Sequence, residues 1–365
     1  MIRVTKDRTY DYISLFNDEN GEYRRAVDQE DDPFMADYPH LIDVGIMGSC
    51  VHGRSGLCES AGVQCYQNGR GQAGPDMRLE DYRWIVDQSR GRTFEIALGG
   101  RGDPDMHPQF EEIVRYTREQ GIVPNFTTSG LGMTPEKARI CREYCGAVAV
   151  SWYFRLESEN GYTERAIRML RDAGVRTNVH YVLGNNTIDE ALIRLKKNLF
   201  PEGINAVVFL LHKPVGQGRP EQVLRTDDLR VEKFFRLADA GGFPFRIGFD
   251  SCSIPGILHW GSRTDLSSID TCEGGRFSMY IGADMVALPC SFDNQTRRYG
   301  VELSKKTTVE DAWNSPAFAR FRERLRLHCP GCEKREACMG GCPLEPSIVL
   351  CNDRENSGEK ERRER

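Results

Sequence analysis

The sequence predicts an α/β protein: a partial (β/α)6 barrel followed by a small cysteine-rich domain. Three observations carry this. Six short apolar runs alternate with helical patterns between residues 40 and 211, and such alternation builds a parallel sheet with right-handed crossovers. Nothing signals a nucleotide-type reversal of strand order, which favours a curved, TIM-like barrel with its site in the loops after the strands. The thirteen cysteines bunch, three at 50–65 and seven at 272–351, with Cys141, Cys145 and Cys252 between.

In chain order, residues 1–40 read as a polar extension holding one hairpin, DYISLFN-DENG-EYRRAV, turned at Asn20-Gly21. The barrel is expected over 41–250. Its strands are 40–47, 93–98, 122–128, 147–153, 175–183 and 204–211, with helices at 79–90, 108–121, 134–146, 162–174 and 187–199. Gly121 suits a helix end; Thr134 and Pro135 suit an N-cap and first helical position. After a further strand at 243–249 the cysteine-rich domain is expected over 251–351, and 352–365 reads as a disordered charged tail.

A net charge of −5 gives no bulk attraction to nucleic acid. The N-terminus lacks a signal-peptide pattern and no apolar run is long enough to span a bilayer, so no membrane is expected and the cytosol is the expected compartment. In a reducing compartment, bunched cysteines point to metal ligation rather than disulfides.

The segment CPGCEKREACMGGC (329–342) reads C-x2-C-x5-C-x3-C, with Cys272 and Cys290 upstream and Cys351 downstream. A zinc ribbon would use paired C-x2-C units; only one such pair exists here, and seven cysteines exceed one zinc site. Short unequal gaps suit iron–sulfur clusters, each taking four thiolates.

This order of seven cysteines resembles the SPASM domain of radical S-adenosylmethionine (SAM) enzymes. The resemblance implies that Cys272, Cys290 and Cys342 serve one auxiliary [4Fe–4S] cluster, and Cys329, Cys332, Cys338 and Cys351 a second. With no cysteine between 272 and 290, the first cluster is left with an open iron, Cys252 or a carboxylate as its fourth ligand. Where the family has a Gly before its second cysteine this chain has Met285, and Gly282 is expected to supply the turn instead.

The resemblance also implies a SAM-binding [4Fe–4S] cluster after the first barrel strand, making three clusters in all. The family's C-x3-C-x2-C followed by Tyr looks stretched here into Cys50, Cys58 and Cys65-Tyr66. Gly99, Gly100, Gly102 and Asp103 look like the segment that holds the SAM amino group. Ser151 and Asn178, on strands four and five, are expected SAM contacts, with His180 on the same strand. The glycines of 213–218 are expected near the adenine. His52 reads as an ordinary loop histidine, and Cys141 and Cys145 as structural thiols. Asp250 and Cys252 follow the last barrel strand, and are expected at the reaction centre.

Among such enzymes, those that mature sulfatases place Asp after the second SPASM cysteine. Here it is Ser291, a poor base. The expected activity is therefore modification of a ribosomally made peptide, by thioether or carbon–carbon crosslinking or a related oxidation. A separate recognition protein and an electron donor such as flavodoxin or ferredoxin are the implied partners. Radical chemistry on a small molecule, or an iron–sulfur electron carrier or sensor, are the alternatives.

Overall fold

The computed structural model describes residues 1–351 apart from 8, 20, 27–32, 61, 63, 154–160, 266–268 and 327–331. Asn20, Cys329 and the tail at 352–365 therefore lie outside the described residues.

Seven parallel strands follow one another in both chain and space: β4 (Leu41–Val44), β5 (Glu95–Leu98), β6 (Val123–Thr128), β7 (Val148–Ser151), β8 (Thr177–Leu183), β9 (Ala206–Leu211) and β10 (Arg246–Phe249). Each connection leads to the next neighbour, as right-handed crossovers dictate. The six expected strands and all five intervening helices are present. The strand at 243–249 joins as a seventh, parallel to β9, after a helix at Leu229–Ala240 that the sequence reading omits. Thr134 caps its helix by accepting from Lys137 N, and Gly121 takes φ +78° behind the helix Phe110–Glu119. The core lies where the strands' apolar faces meet the helices, with Ile42, Val44, Ile96, Val150, Val179 and Val207 all fully buried.

On the other edge of the sheet, β11 (Ser278–Ile281) pairs parallel to β4. The antiparallel strands β12 (Val286–Leu288) and β13 (Val301–Glu302) extend it to ten. The cysteine-rich segment is thus hydrogen-bonded into the barrel sheet. Met285 takes φ +62° in the β11–β12 turn, whereas Gly282 does not take positive φ. Gly282 opens that turn, its carbonyl accepting from Met285 N at 2.9 Å, while the left-handed position is Met285 itself. A side chain there costs about 1–2 kcal/mol, and that of Met285 is half-buried against the core.

The N-terminal residues form a three-stranded antiparallel sheet, β1 (Ile2–Asp7), β2 (Tyr12–Asn17) and β3 (Glu22–Ala26). The hairpin β2–β3 is the expected one; β1 is additional. This sheet sits under the barrel, at the strands' N-terminal ends. Phe16 stacks on Phe94 at 5.3 Å, and Tyr23 Oη bonds His40 Nδ1 at 2.7 Å.

Candidate active site

The three cysteines after β4 converge. Cys50 caps the short helix Val51–Ser55, its sulfur accepting from Gly53 N at 3.4 Å. Gly56 then turns the chain at φ +75° into a second short helix, Leu57–Ser60, which carries Cys58. The widened first gap is therefore a pair of helical turns rather than an irregular loop. Gly53 and Gly69 pin the loop's two arms together: a Cβ on Gly53 would lie 2.3 Å from the Gly69 carbonyl carbon. One on Gly69 would meet Cys65 Sγ at 3.6 Å and Cys50 Sγ at 3.7 Å, so both sulfurs flank one point. Burial pushes the Cys50 thiol up, and the Cys58 thiol to about 12. Bare thiols therefore stay protonated, and a cluster must displace those protons on binding.

The segment after β5 closes over this loop. Gly100 takes φ +90° and Gly102 φ +71°; a side chain at Gly102 would strike Ser49 O at 2.6 Å. The Tyr280 hydroxyl fits against Gly45 and Gly100, 2.4 Å and 2.8 Å from where their Cβ atoms would stand. Gly99 differs, because a Cβ there meets nothing within 4 Å, leaving room for a ligand to approach the backbone. The carboxylate of Asp103 accepts from both N and Oγ of Ser129. His52, 4% exposed, places Nε2 2.7 Å from Ser129 Oγ and 3.5 Å from Asp103 Oδ2. So His52 is not a free loop residue but part of a buried His–Ser–Asp group that sequence spacing does not reveal.

These groups line one cavity of about 360 Å³ at the C-terminal strand ends. Cys50, Cys58, Cys65, Tyr66, Gly99, Gly100, Gly102, Asp103, Ser151 and Asp250 all reach it. Asn178 does not: it sits near the start of β8, where its Oδ1 accepts from Asn205 Nδ2 at 2.7 Å. The β8 residue on the cavity wall is His180, two positions on. Burial lowers its pKa to about 4, leaving a neutral imidazole at ordinary pH. The 213–218 loop packs on the cluster loop rather than standing apart. Gln217 N donates to Cys65 O at 2.9 Å, and a Cβ on Gly216 would lie 2.4 Å from Tyr66 O. From the cysteine-rich segment Tyr280, Ser291 and Phe292 complete the wall, with Phe292 4.5 Å from the Tyr66 ring.

Asp43 projects from β4 into the same cavity, and burial raises its pKa to about 7. A carboxyl raised on folding binds its proton more tightly in the folded chain. The stability this confers is complete below about pH 4 and is lost as pH rises through about 7. Asp43→Asn is therefore expected to raise the unfolding midpoint of the cluster-free chain at pH 8 and leave it nearly unchanged at pH 4. Equal effects at both pH values would contradict the assignment.

The second cysteine group lies behind Phe292. A Cβ on Gly274 would be 3.6 Å from Cys272 Sγ and 3.5 Å from Cys290 Cβ. Their sulfurs accept backbone bonds from Gly274 and Phe292, and that of buried Cys342 from Glu345 N at 3.4 Å. Such N–H···S bonds favour the thiolate. Cys338 ends the short helix Arg335–Cys338, and its carbonyl accepts from Thr271 Oγ1 at 2.8 Å, next to Cys272. Cys332 and Cys351 are partly exposed. Asp250 lines the cavity, but its oxygens are committed: Oδ2 accepts from Lys213 Nζ at 2.6 Å and Leu211 N at 3.2 Å, and Oδ1 from Ser253 Oγ at 2.7 Å. Cys252 does not reach the cavity wall. Cys141 is fully buried beside Cys145, within the core.

Among the described residues no three His, Cys, Asp or Glu side chains crowd closely enough to enclose a single metal ion. A four-iron cluster spreads its thiolates wider than one ion does, because irons and sulfides lie between them. The arrangement of Cys50, Cys58 and Cys65 suits that larger group.

Residues 272–342 match the SPASM family, an iron–sulfur cluster-binding domain. The chain is 23% identical over 321 residues to the mycofactocin maturase MftC of Mycobacterium ulcerans, spanning 78% of this chain and 80% of that protein. The cysteine-rich segment thus matches a SPASM domain, and the chain is similar to a maturase over most of its length. Its fold is that of Streptococcus suis SuiB. The SuiB structure bound to its precursor peptide SuiA gives a TM-score of 0.69 at 12% identity, over 96% of this chain and all of that one. The structure bound to SAM gives 0.66 at 15% identity, over 87% of this chain and 78% of that one. The SPASM match begins on Cys272 and ends on Cys342, so the segment whose β11 joins the barrel sheet is the cluster-binding one.

Proposed function

We infer that this enzyme modifies a peptide, using a SAM-binding cluster on Cys50, Cys58 and Cys65 and two auxiliary clusters on the remaining set. The observation that carries the reading is the shared cavity: three thiols, the Gly99–Asp103 segment and SPASM residues face one space at the C-terminal strand ends. When bound, cluster and SAM together supply a 5′-deoxyadenosyl radical that abstracts hydrogen. The chain's own residues do the rest. Tyr66, Phe292 and Tyr280 wall the cavity with rings and keep water from it. Asp103 and Ser151 offer acceptors, and Gly99 an open backbone, to the polar ends of a ligand. The auxiliary set is Cys272, Cys290 and Cys342 for one cluster, and Cys329, Cys332, Cys338 and Cys351 for the other. The limits proposed for the two functional parts are 41–250 and 251–351.

Peptide as the substrate class is supported by what the relatives are: MftC is a maturase, and SuiB binds a precursor peptide. It is supported too by the second SPASM cysteine. Ser291 follows it, and nearby Asp293 is buried, with its carboxylate taken by Thr296 Oγ1, Arg298 N and Tyr299 N. Asp293 is therefore committed to the fold of its own turn. The cytosol, a flavodoxin or ferredoxin donor and a separate recognition protein complete the proposal; among the described residues no helix is long and apolar enough to cross a membrane. The test is to incubate the reduced, cluster-loaded enzyme and SAM with short peptides encoded beside its gene and weigh them by mass spectrometry. A loss of two hydrogens per modification, dependent on SAM, is the expected result. Unaltered peptides alongside a converted small molecule would overturn the reading.

A further inference from the structure

The turn after β10 brings a fourth thiol to the first auxiliary set. Asp250 leads into the 3-10 turn Ser251–Ser253, its carbonyl accepting from Ser253 N at 2.9 Å, and the side-chain bonds from Lys213, Leu211 and Ser253 fix that turn in place. The Cys252 thiol is thereby held against the thiol of Cys342. Cys272 and Cys290 are gathered beside it, flanking Gly274, whose Cβ position lies 3.6 Å from Cys272 Sγ and 3.5 Å from Cys290 Cβ. Four thiols from four separate segments thus converge, and four is the complement of one [4Fe–4S] cluster.

The competing ligands are otherwise engaged. No cysteine lies between 272 and 290. The Asp250 carboxylate is spent on Lys213 and two further donors. Glu273 pairs with Asp270 beside Arg25 and Arg276. Lys213, 2% exposed, also sits near Cys252 and Cys342, where its charge offsets that of gathered thiolates.

We propose that Cys252, from the end of the barrel, is the fourth thiolate ligand of the cluster held by Cys272, Cys290 and Cys342. The inference rests on the reading above that those three hold a cluster. It makes that cluster fully coordinated, unable to take substrate on an open iron. It also makes the cluster a staple between the barrel's last strand and the SPASM segment.

The test uses the full chain with Cys50, Cys58 and Cys65 changed to Ala, so that only auxiliary clusters load, at about eight irons per chain. The reduced protein is mixed with 13C-cyanide, which binds an iron lacking a protein thiolate, and hyperfine coupling is read by electron–nuclear double resonance. Adding Cys252→Ala should either create a 13C coupling absent from the parent or remove about four irons. Cys252→Ser, the milder change, should shift the cluster's EPR g values if the alanine variant folds poorly by circular dichroism. Equal coupling in parent and Cys252→Ala, or full iron with no coupling in either, overturns the proposal. Cys290→Ala in the same parent separates the two readings. Loss of about four irons upholds the three-cysteine set even if Cys252 fails; full iron retention removes the set and the proposal together.

Discussion

Cys58→Ala should abolish SAM cleavage and remove about four of about twelve irons per chain. The expectation follows from the loop. Cys50 and Cys65 flank one point across Gly69, and Cys58 reaches the same cavity from its own helical turn. With three thiolates required and three present, nothing in the loop substitutes for one. His52 also lines the cavity, but its Nε2 is engaged with Ser129 and Asp103 and its ring is held by them. Iron counting and 5′-deoxyadenosine assay read the two losses separately. Full iron with full activity in Cys58→Ala would remove this residue from the site.

Lys213→Met should cost about 3–5 kcal/mol, because it leaves the Asp250 carboxylate buried without its partner. Burial alone works against a charged Lys213, yet the adjoining Asp250 overrides it and raises its pKa, so Lys213 stays charged when folded. The ammonium is 2% exposed and the carboxylate side chain 17%, so solvent screens the pair little. Lys213 also lies 4.3 Å from the Phe292 ring, so its loss loosens the wall between cavity and auxiliary cysteines. Denaturant unfolding of the cluster-free chain measures the cost. Adding Asp250→Asn to Lys213→Met should restore much of it, since the stranded charge is then gone. A single-variant cost below about 1 kcal/mol, the range of an exposed pair, would contradict this account.

What the sequence made legible was whatever periodicity and spacing encode. The parallel strands announce themselves as apolar runs between amphipathic helices, and the SPASM cysteines as unequal short gaps. β1 escapes because it is an exposed strand, Arg3, Thr5 and Lys6 among its residues, and only its last residue is buried. The helices around Cys58 escape because residues 51–60 carry two glycines' worth of turn signal and no apolar face. Met285 occupies a backbone conformation that side chains avoid, so no propensity rule would place it there. The site was harder still. Cys50, Asp103 and Ser151 follow from standing at strand ends. Asn178 shows the limit of that rule: on a seven-residue strand, two positions separate the barrel floor from the cavity wall that His180 lines. The His52–Ser129–Asp103 group joins three separate strand-to-helix connections, and the meeting of Cys252 with Cys342 spans ninety residues of chain; contacts of that kind exist only once the sheet is assembled.

The central claim is that the shared cavity holds a cluster and SAM and makes a radical there. The most direct measurement is anaerobic incubation of the iron-loaded chain with SAM and dithionite, followed by quantification of 5′-deoxyadenosine. The account predicts its formation together with methionine, and its disappearance in Cys50→Ala, Cys58→Ala and Cys65→Ala. A fully iron-loaded, folded chain that forms no 5′-deoxyadenosine would contradict it.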